Sequence, residues 1–150
     1  MWWSFPHDFH DLRHQRLEGV RSAVAHVRGL LDSAVQAEDR LILAGFSQGA
    51  MLALEVAVSD PRPLAGLILF SGTLLDEAAL TPRLAARRGL PVFVSHGRQD
   101  DVLPFARSEE LVGGLRGAGL EVEFHPEDGG HAITNTTSTQ AAAFVRRVGR

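Results

Sequence analysis

Three side chains far apart in the sequence, Ser47, Asp100 and His131, have the types and local settings that nucleophilic catalysis requires. Ser47 is the centre of Gly45-Phe46-Ser47-Gln48-Gly49, between the apolar run 41–44 and a helix-forming run over 50–58. This is the strand, sharp turn and helix setting in which G-x-S-x-G marks a nucleophile elbow. So tight a turn is expected to exclude a Cβ two positions either side of the serine, which accounts for both glycines. The plainer alternative is a Gly-rich turn in which Ser47 only caps the following helix. A serine hydroxyl is a weak nucleophile at neutral pH, so it needs a base within hydrogen-bond reach and a third group to fix that base's tautomer. His131 in Gly129-Gly130-His131 suits the base, and the segment from His96 to Pro104 carries two adjacent carboxylates, Asp100 and Asp101, for the third role. Adjacent side chains cannot both face the imidazole, and by residue type either one serves.

Each group follows a short strand-like run: 41–46 before Ser47, 91–95 before the aspartates and 120–124 before His131. A further run spans 65–70. Helical segments are read at 48–58, 105–117 and 135–148, with Pro82 in an irregular connection. Ahead of them, Leu17, Val20, Val24, Val27, Leu30 and Leu31 recur at three-to-four spacing, which predicts an amphipathic helix over 14–35. Short β-rich runs alternating with helices predict an α/β fold of about four parallel strands covered on both faces. Open sheets of this kind carry their sites beyond the carboxyl ends of the strands, where all three groups would fall. The chain order Ser, Asp, His is that of the α/β hydrolases.

Gly-Phe-Ser-Gln-Gly-Ala at 45–50, His-Gly-Arg-Gln-Asp-Asp-Val-Leu-Pro at 96–104 and Gly-Gly-His-Ala-Ile at 129–133 together resemble the phospholipase/carboxylesterase family, which includes acyl-protein thioesterases. The resemblance implies an N-terminally truncated α/β-hydrolase fold over a single domain, residues 1–150, and the first aspartate, Asp100, as the acid. It also implies small-molecule or acyl-protein esters and thioesters as substrates, with no cofactor. Family members normally begin with several strands and a His-Gly-rich loop whose N–H is the second oxyanion donor, and that portion is missing here. The N–H of Gln48 is then the remaining donor, helped by the helix N-terminus behind it. The strand before Ser47, central in the family, would become an exposed edge open to homodimerisation.

Trp3, Ser71 and Leu74 are the candidate lining of an acyl pocket, set against plain packing for Trp3 and Leu74 and a simple turn for Ser71. A metal site is the rival chemistry. His7, Asp8, His10, Asp11 and His14 cluster near the start, and the four-residue spacing of His10 and His14 would put both imidazoles on one helix face. Such polar runs ordinarily begin solvated helices, so no metal is assigned.

The rest of the composition narrows the field. The 150 residues can bury a single core, and 45% apolar content is ordinary for an α/β domain. A net charge of −3 offers no attraction to nucleic acid or an anionic membrane. The absence of cysteine excludes disulfides, a thiol nucleophile and thiolate metal sites. No secretory signal and no run approaching ~20 apolar residues is present, so the expected location is cytoplasmic, without membrane insertion.

Overall fold

The computed structural model describes residues 1–5, 11–14 and 18–150. Four parallel strands, β1 (Ile42–Phe46), β2 (Gly66–Phe70), β3 (Pro91–Gly97) and β4 (Glu121–Glu127), lie in sequence order across one sheet. The helices are α1 (Val20–Ala34), α2 (Gln48–Ser59), α3 (Glu77–Leu84), α4 (Phe105–Gly117) and α5 (Asn135–Val148). Side chains alternate between the sheet's faces. Leu67, Leu69, Val92 and Val94 therefore enter the main core with Leu54, Leu111 and Leu115 of α2 and α4. Ile68 and Phe93 point the other way, against Ala141 and Phe144 of α5.

α2 is buried along nearly its whole length, from Gln48 to Ala57. It is held between the sheet and a second apolar cluster in which Trp3, Leu12, Val24, Met51, Leu75 and Leu103 meet. Arg87 closes its C-terminal end by donating to the carbonyls of Ala57, Asp60 and Arg62.

Two expectations need correction. Pro82 lies inside α3, not in an irregular connection. The helix forms because Leu80 and Leu84, four residues apart, both bury into the main core, and tertiary burial outweighs the local penalty of proline. The first helix begins at Val20, after Gly19 in the left-handed conformation, and not at residue 14; residues 15–17, with Leu17, lie outside the described residues.

β1 pairs only with β2, so among the described residues its other side is an open edge, as expected. Ala44 and Phe46 lie on the same face as Ile42 and Ile68, the α5 side of the sheet, and are exposed. No helix of the described residues is long and apolar enough to cross a membrane.

Candidate active site

The strands end in a row of loops, and successive backbone bonds tie each to its neighbour. The N–H of Ser47 donates to the Phe70 carbonyl at 2.8 Å, that of Ser71 to Ser95 at 2.9 Å, and that of Arg98 to Glu127 at 2.8 Å. Ser47, Ser71, Asp100 and His131 follow β1, β2, β3 and β4 respectively, all at the carboxyl end of the sheet.

Ser47 has φ 55° and ψ −119°, a conformation that costs a non-glycine residue about 1–3 kcal/mol and that the turn between β1 and α2 imposes. The expectation for the two glycines holds only in part. A Cβ at Gly45 would lie 2.1 Å from the Gly49 carbonyl oxygen, whereas one at Gly49 meets nothing within 4 Å. The crowding is thus between the side of residue 45 and the backbone of residue 49. Gly72, after Ser71, likewise has no room, since a Cβ there would come within 2.9 Å of the Ala50 Cβ.

Asp100 and His131 are brought together by a second close approach. A Cβ at Gly97 would lie 2.3 Å from the carbonyl oxygens of Gly129 and Gly130, and the Gln99 N–H donates to Gly129 at 2.9 Å. Beyond His131, Thr134 caps α5 by accepting from the Thr137 N–H and also bonds the Glu127 carboxylate.

The resulting geometry is a continuous hydrogen-bonded chain. His131 Nε2 lies 2.9 Å from Ser47 Oγ, and His131 Nδ1 lies 2.7 Å from Asp100 Oδ2. Asp100 Oδ1 accepts from the backbone N–H of Val102 at 2.9 Å and of Leu103 at 2.8 Å. Burial opposes ionisation of Asp100, yet the bonds from His131, Leu103 and Val102 together hold its carboxyl below the ordinary aspartate value. An ionised Asp100 requires the proton on His131 Nδ1, which leaves Nε2 free to accept from the serine hydroxyl. Of the two adjacent carboxylates it is Asp100 that bonds His131, while Asp101 is exposed.

Gln48 is the first residue of α2, where backbone N–H groups lack partners within the helix. Its side chain has a role that sequence reading missed: Oε1 accepts from the Trp2 N–H at 2.6 Å and Nε2 donates to the Trp3 carbonyl at 2.8 Å. The segment from Trp2 to Phe5 is thereby fastened beside the elbow, but the Trp2 N–H already has an acceptor. Two further neighbours were also missed. The Phe46 ring lies 4.8 Å from the His131 ring, centroid to centroid. His96, 1% exposed, donates from Nε2 to the Leu103 carbonyl at 2.9 Å and lies 3.1 Å from Asp100 Oδ2. Its position four residues before Asp100 is the signal that was available in the sequence.

Of the candidate pocket residues, Trp3 and Leu74 are 5% and 2% exposed and belong to the apolar clusters, the packing alternative given for them. Ser71 is also buried, but it stands at the strand ends beside Ser47. A cavity of about 820 Å³ lies elsewhere, between α1, α2 and α3, lined by Val24, Arg28, Glu55, Leu75 and Arg83 among others. Of the metal cluster suggested by sequence, His7, Asp8 and His10 lie outside the described residues. Asp11 pairs with Arg13 and Arg107, and no metal-binding group of His, Asp or Glu occurs among the described residues.

Comparison with known proteins bears on the family and the fold. The family model for Phospholipase/Carboxylesterase matches residues 1–148. A probable carboxylesterase of Oryza sativa subsp. japonica is 33% identical over 133 residues, covering 85% of this chain and 50% of the relative. Acyl-protein thioesterase 1 of Gibberella zeae is 26% identical over 143 residues, covering 91% and 61%. The chain thus spans between half and about three fifths of the length of these relatives. A crystal structure of a SOBER1 variant from Arabidopsis thaliana superimposes with a TM-score of 0.87 at 23% identity, covering 99% of this chain and 74% of that one, a likeness of fold. With the family model matched over nearly every residue and the fold reproduced, this chain belongs to the phospholipase/carboxylesterase family of α/β hydrolases.

Proposed function

We propose that this chain is a serine hydrolase of carboxylic esters or thioesters, of small-molecule or acyl-protein origin, working without a cofactor. The observation that carries the reading is the run of hydrogen bonds from Asp100 through His131 to Ser47. Ser47 Oγ attacks the acyl carbon while His131 Nε2 takes its proton. The tetrahedral oxyanion is met by the Gln48 N–H at the positive end of α2. His131 then protonates the leaving alcohol or thiol as the acyl-enzyme forms. In the second half His131 draws a proton from water, which attacks the acyl-enzyme and releases the acid. Asp100 keeps the imidazole in the required tautomer throughout and stabilises its charged form.

The test is a p-nitrophenyl ester assay. A burst of p-nitrophenol is expected from the unmodified chain and should vanish in Ser47→Ala or after fluorophosphonate treatment. Equal product release by Ser47→Ala would remove the serine-hydrolase reading.

The open edge of β1 favours a second reading, a catalytically impaired hydrolase fold that serves as a binding or oligomerising module. Its form here is a homodimer in which two β1 edges pair, an unpaired row of backbone donors and acceptors being a template for another strand.

A further inference from the structure

We propose that His96 is a positioning residue for Asp100, holding the carboxylate in the orientation that serves His131. The inference rests on the reading of Ser47, His131 and Asp100 as the catalytic residues, and it adds a fourth member to which no reaction step has been assigned.

The loop between β3 and α4 is exposed at Arg98, Gln99, Asp101 and Val102, and buried at Asp100 and Leu103. A loop with so exposed a run needs an anchor if its one functional carboxylate is to stay in place. Leu103 is that anchor twice over: its N–H grips Asp100 Oδ1, and its carbonyl accepts from His96 Nε2. The imidazole of His96 therefore fixes the residue that fixes the carboxylate. The same N–H edge lies 3.1 Å from Oδ2, the oxygen that faces His131, and so adds a positive dipole where the negative charge sits.

The state of the ring follows from its surroundings. Nε2 faces a carbonyl and a carboxylate, both acceptors, so it carries the proton. Nδ1 is buried with no hydrogen-bond partner among the described residues. Burial holds the imidazole below the ordinary histidine value, against the opposing effects of the Leu103 carbonyl and Asp100. A neutral ring positions Asp100 without setting a second cation against the imidazolium that His131 becomes during turnover. Phe105, at the start of α4, packs edge-on against His96 with centroids 6.0 Å apart and limits its rotation.

Two substitutions separate this role from mere packing. His96→Phe keeps a ring against Phe105 and deletes the N–H; His96→Gln returns an N–H at the distance of Nε2. In a p-nitrophenyl ester assay, His96→Phe is expected to lower kcat about 10- to 100-fold with KM unchanged, since misplacing a catalytic group by a fraction of an ångström acts on the transition state. His96→Gln is expected to recover most of that loss. Proton NMR supplies a readout independent of turnover: the low-field Nδ1 proton of His131, bonded to Asp100, should be lost or exchange-broadened in His96→Phe and present in His96→Gln. Should His96→Phe fail to fold, His96→Gln decides alone, with wild-type kcat and signal supporting the proposal and loss of both overturning it. A His96→Phe chain that folds with wild-type kcat and an intact His131 signal overturns it too. If the unmodified chain turns over no ester, the hydrolase reading has failed, and the NMR comparison still scores His96.

Discussion

Replacing Asp100 by asparagine tests the site at its most constrained atom. The two backbone donors on Oδ1, from Val102 at 2.9 Å and Leu103 at 2.8 Å, will hold the asparagine's single oxygen in that place, since the reverse orientation would set an NH₂ against both. The amide nitrogen then occupies the position of Oδ2, 2.7 Å from His131 Nδ1 and 3.1 Å from His96 Nε2. A donor now faces a donor. His131 resolves the conflict by moving its proton to Nε2, where it points at Ser47 Oγ and can no longer accept. A wrong tautomer in an otherwise intact triad costs about 10⁴-fold in kcat, or about 5 kcal/mol at 1.36 kcal/mol per decade.

Stability adds a second arm. A hydrogen bond to a charged group contributes about 1.5–3 kcal/mol, and Asp100 is only 8% exposed, so the asparagine variant should unfold at lower urea at pH 7. Because the folded carboxyl titrates below its unfolded value of about 3.9, its stabilisation is present above that pH and is lost as pH falls through the folded value. The difference in urea midpoint should therefore shrink toward pH 2. The control is Asp101→Asn, at an exposed position, expected to stay within about 0.5 kcal/mol in stability and near wild type in kcat. Steady-state ester kinetics and urea titrations on both variants suffice. Asp100→Asn within ten-fold of wild type, or the large loss appearing in Asp101→Asn, would refute the assignment of the acid.

Gly45→Ala should prevent folding or cost more than about 3 kcal/mol, because its Cβ would lie 2.1 Å from a backbone oxygen that cannot move without dismantling the elbow; Gly49→Ala should be tolerated, and thermal melts of the two distinguish them. Equal melting temperatures would show that the turn is looser than its geometry implies. If β1 edges pair, sedimentation equilibrium should show a dimer that Ala44→Lys weakens, since Ala44 is exposed on β1 and a symmetric pair would bring two ammonium groups together. A monomer at high concentration would sink that reading.

Much of the architecture was legible because burial writes a period into the chain. The limits of α4 and α5 coincide with the expected 105–117 and 135–148: Pro104 precedes α4 and left-handed Gly119 follows it, while Thr134 caps the start of α5 and Gly149 follows its end. α3 was hidden by Pro82, whose local meaning is a break; only the core position of Leu80 and Leu84 overrides it. Ser47, Asp100 and His131 were identifiable by type and order, yet the choice between Asp100 and Asp101 came from family likeness. In the fold, two backbone N–H groups and a histidine select the buried member of the pair, and no residue type encodes that. Trp3 and Leu74 stayed open between pocket and packing for the complementary reason: an apolar side chain near a site reads the same whether it faces ligand or core.

The backbone bonds that join each strand end to the next mean that Ser47, His131 and Asp100 do not hang on independent tethers. Their mutual placement is set when the sheet assembles, so under the proposed hydrolysis a substrate arriving at this rim would have little ordering left to impose, and its binding free energy would remain available for the acyl carbon's change of shape.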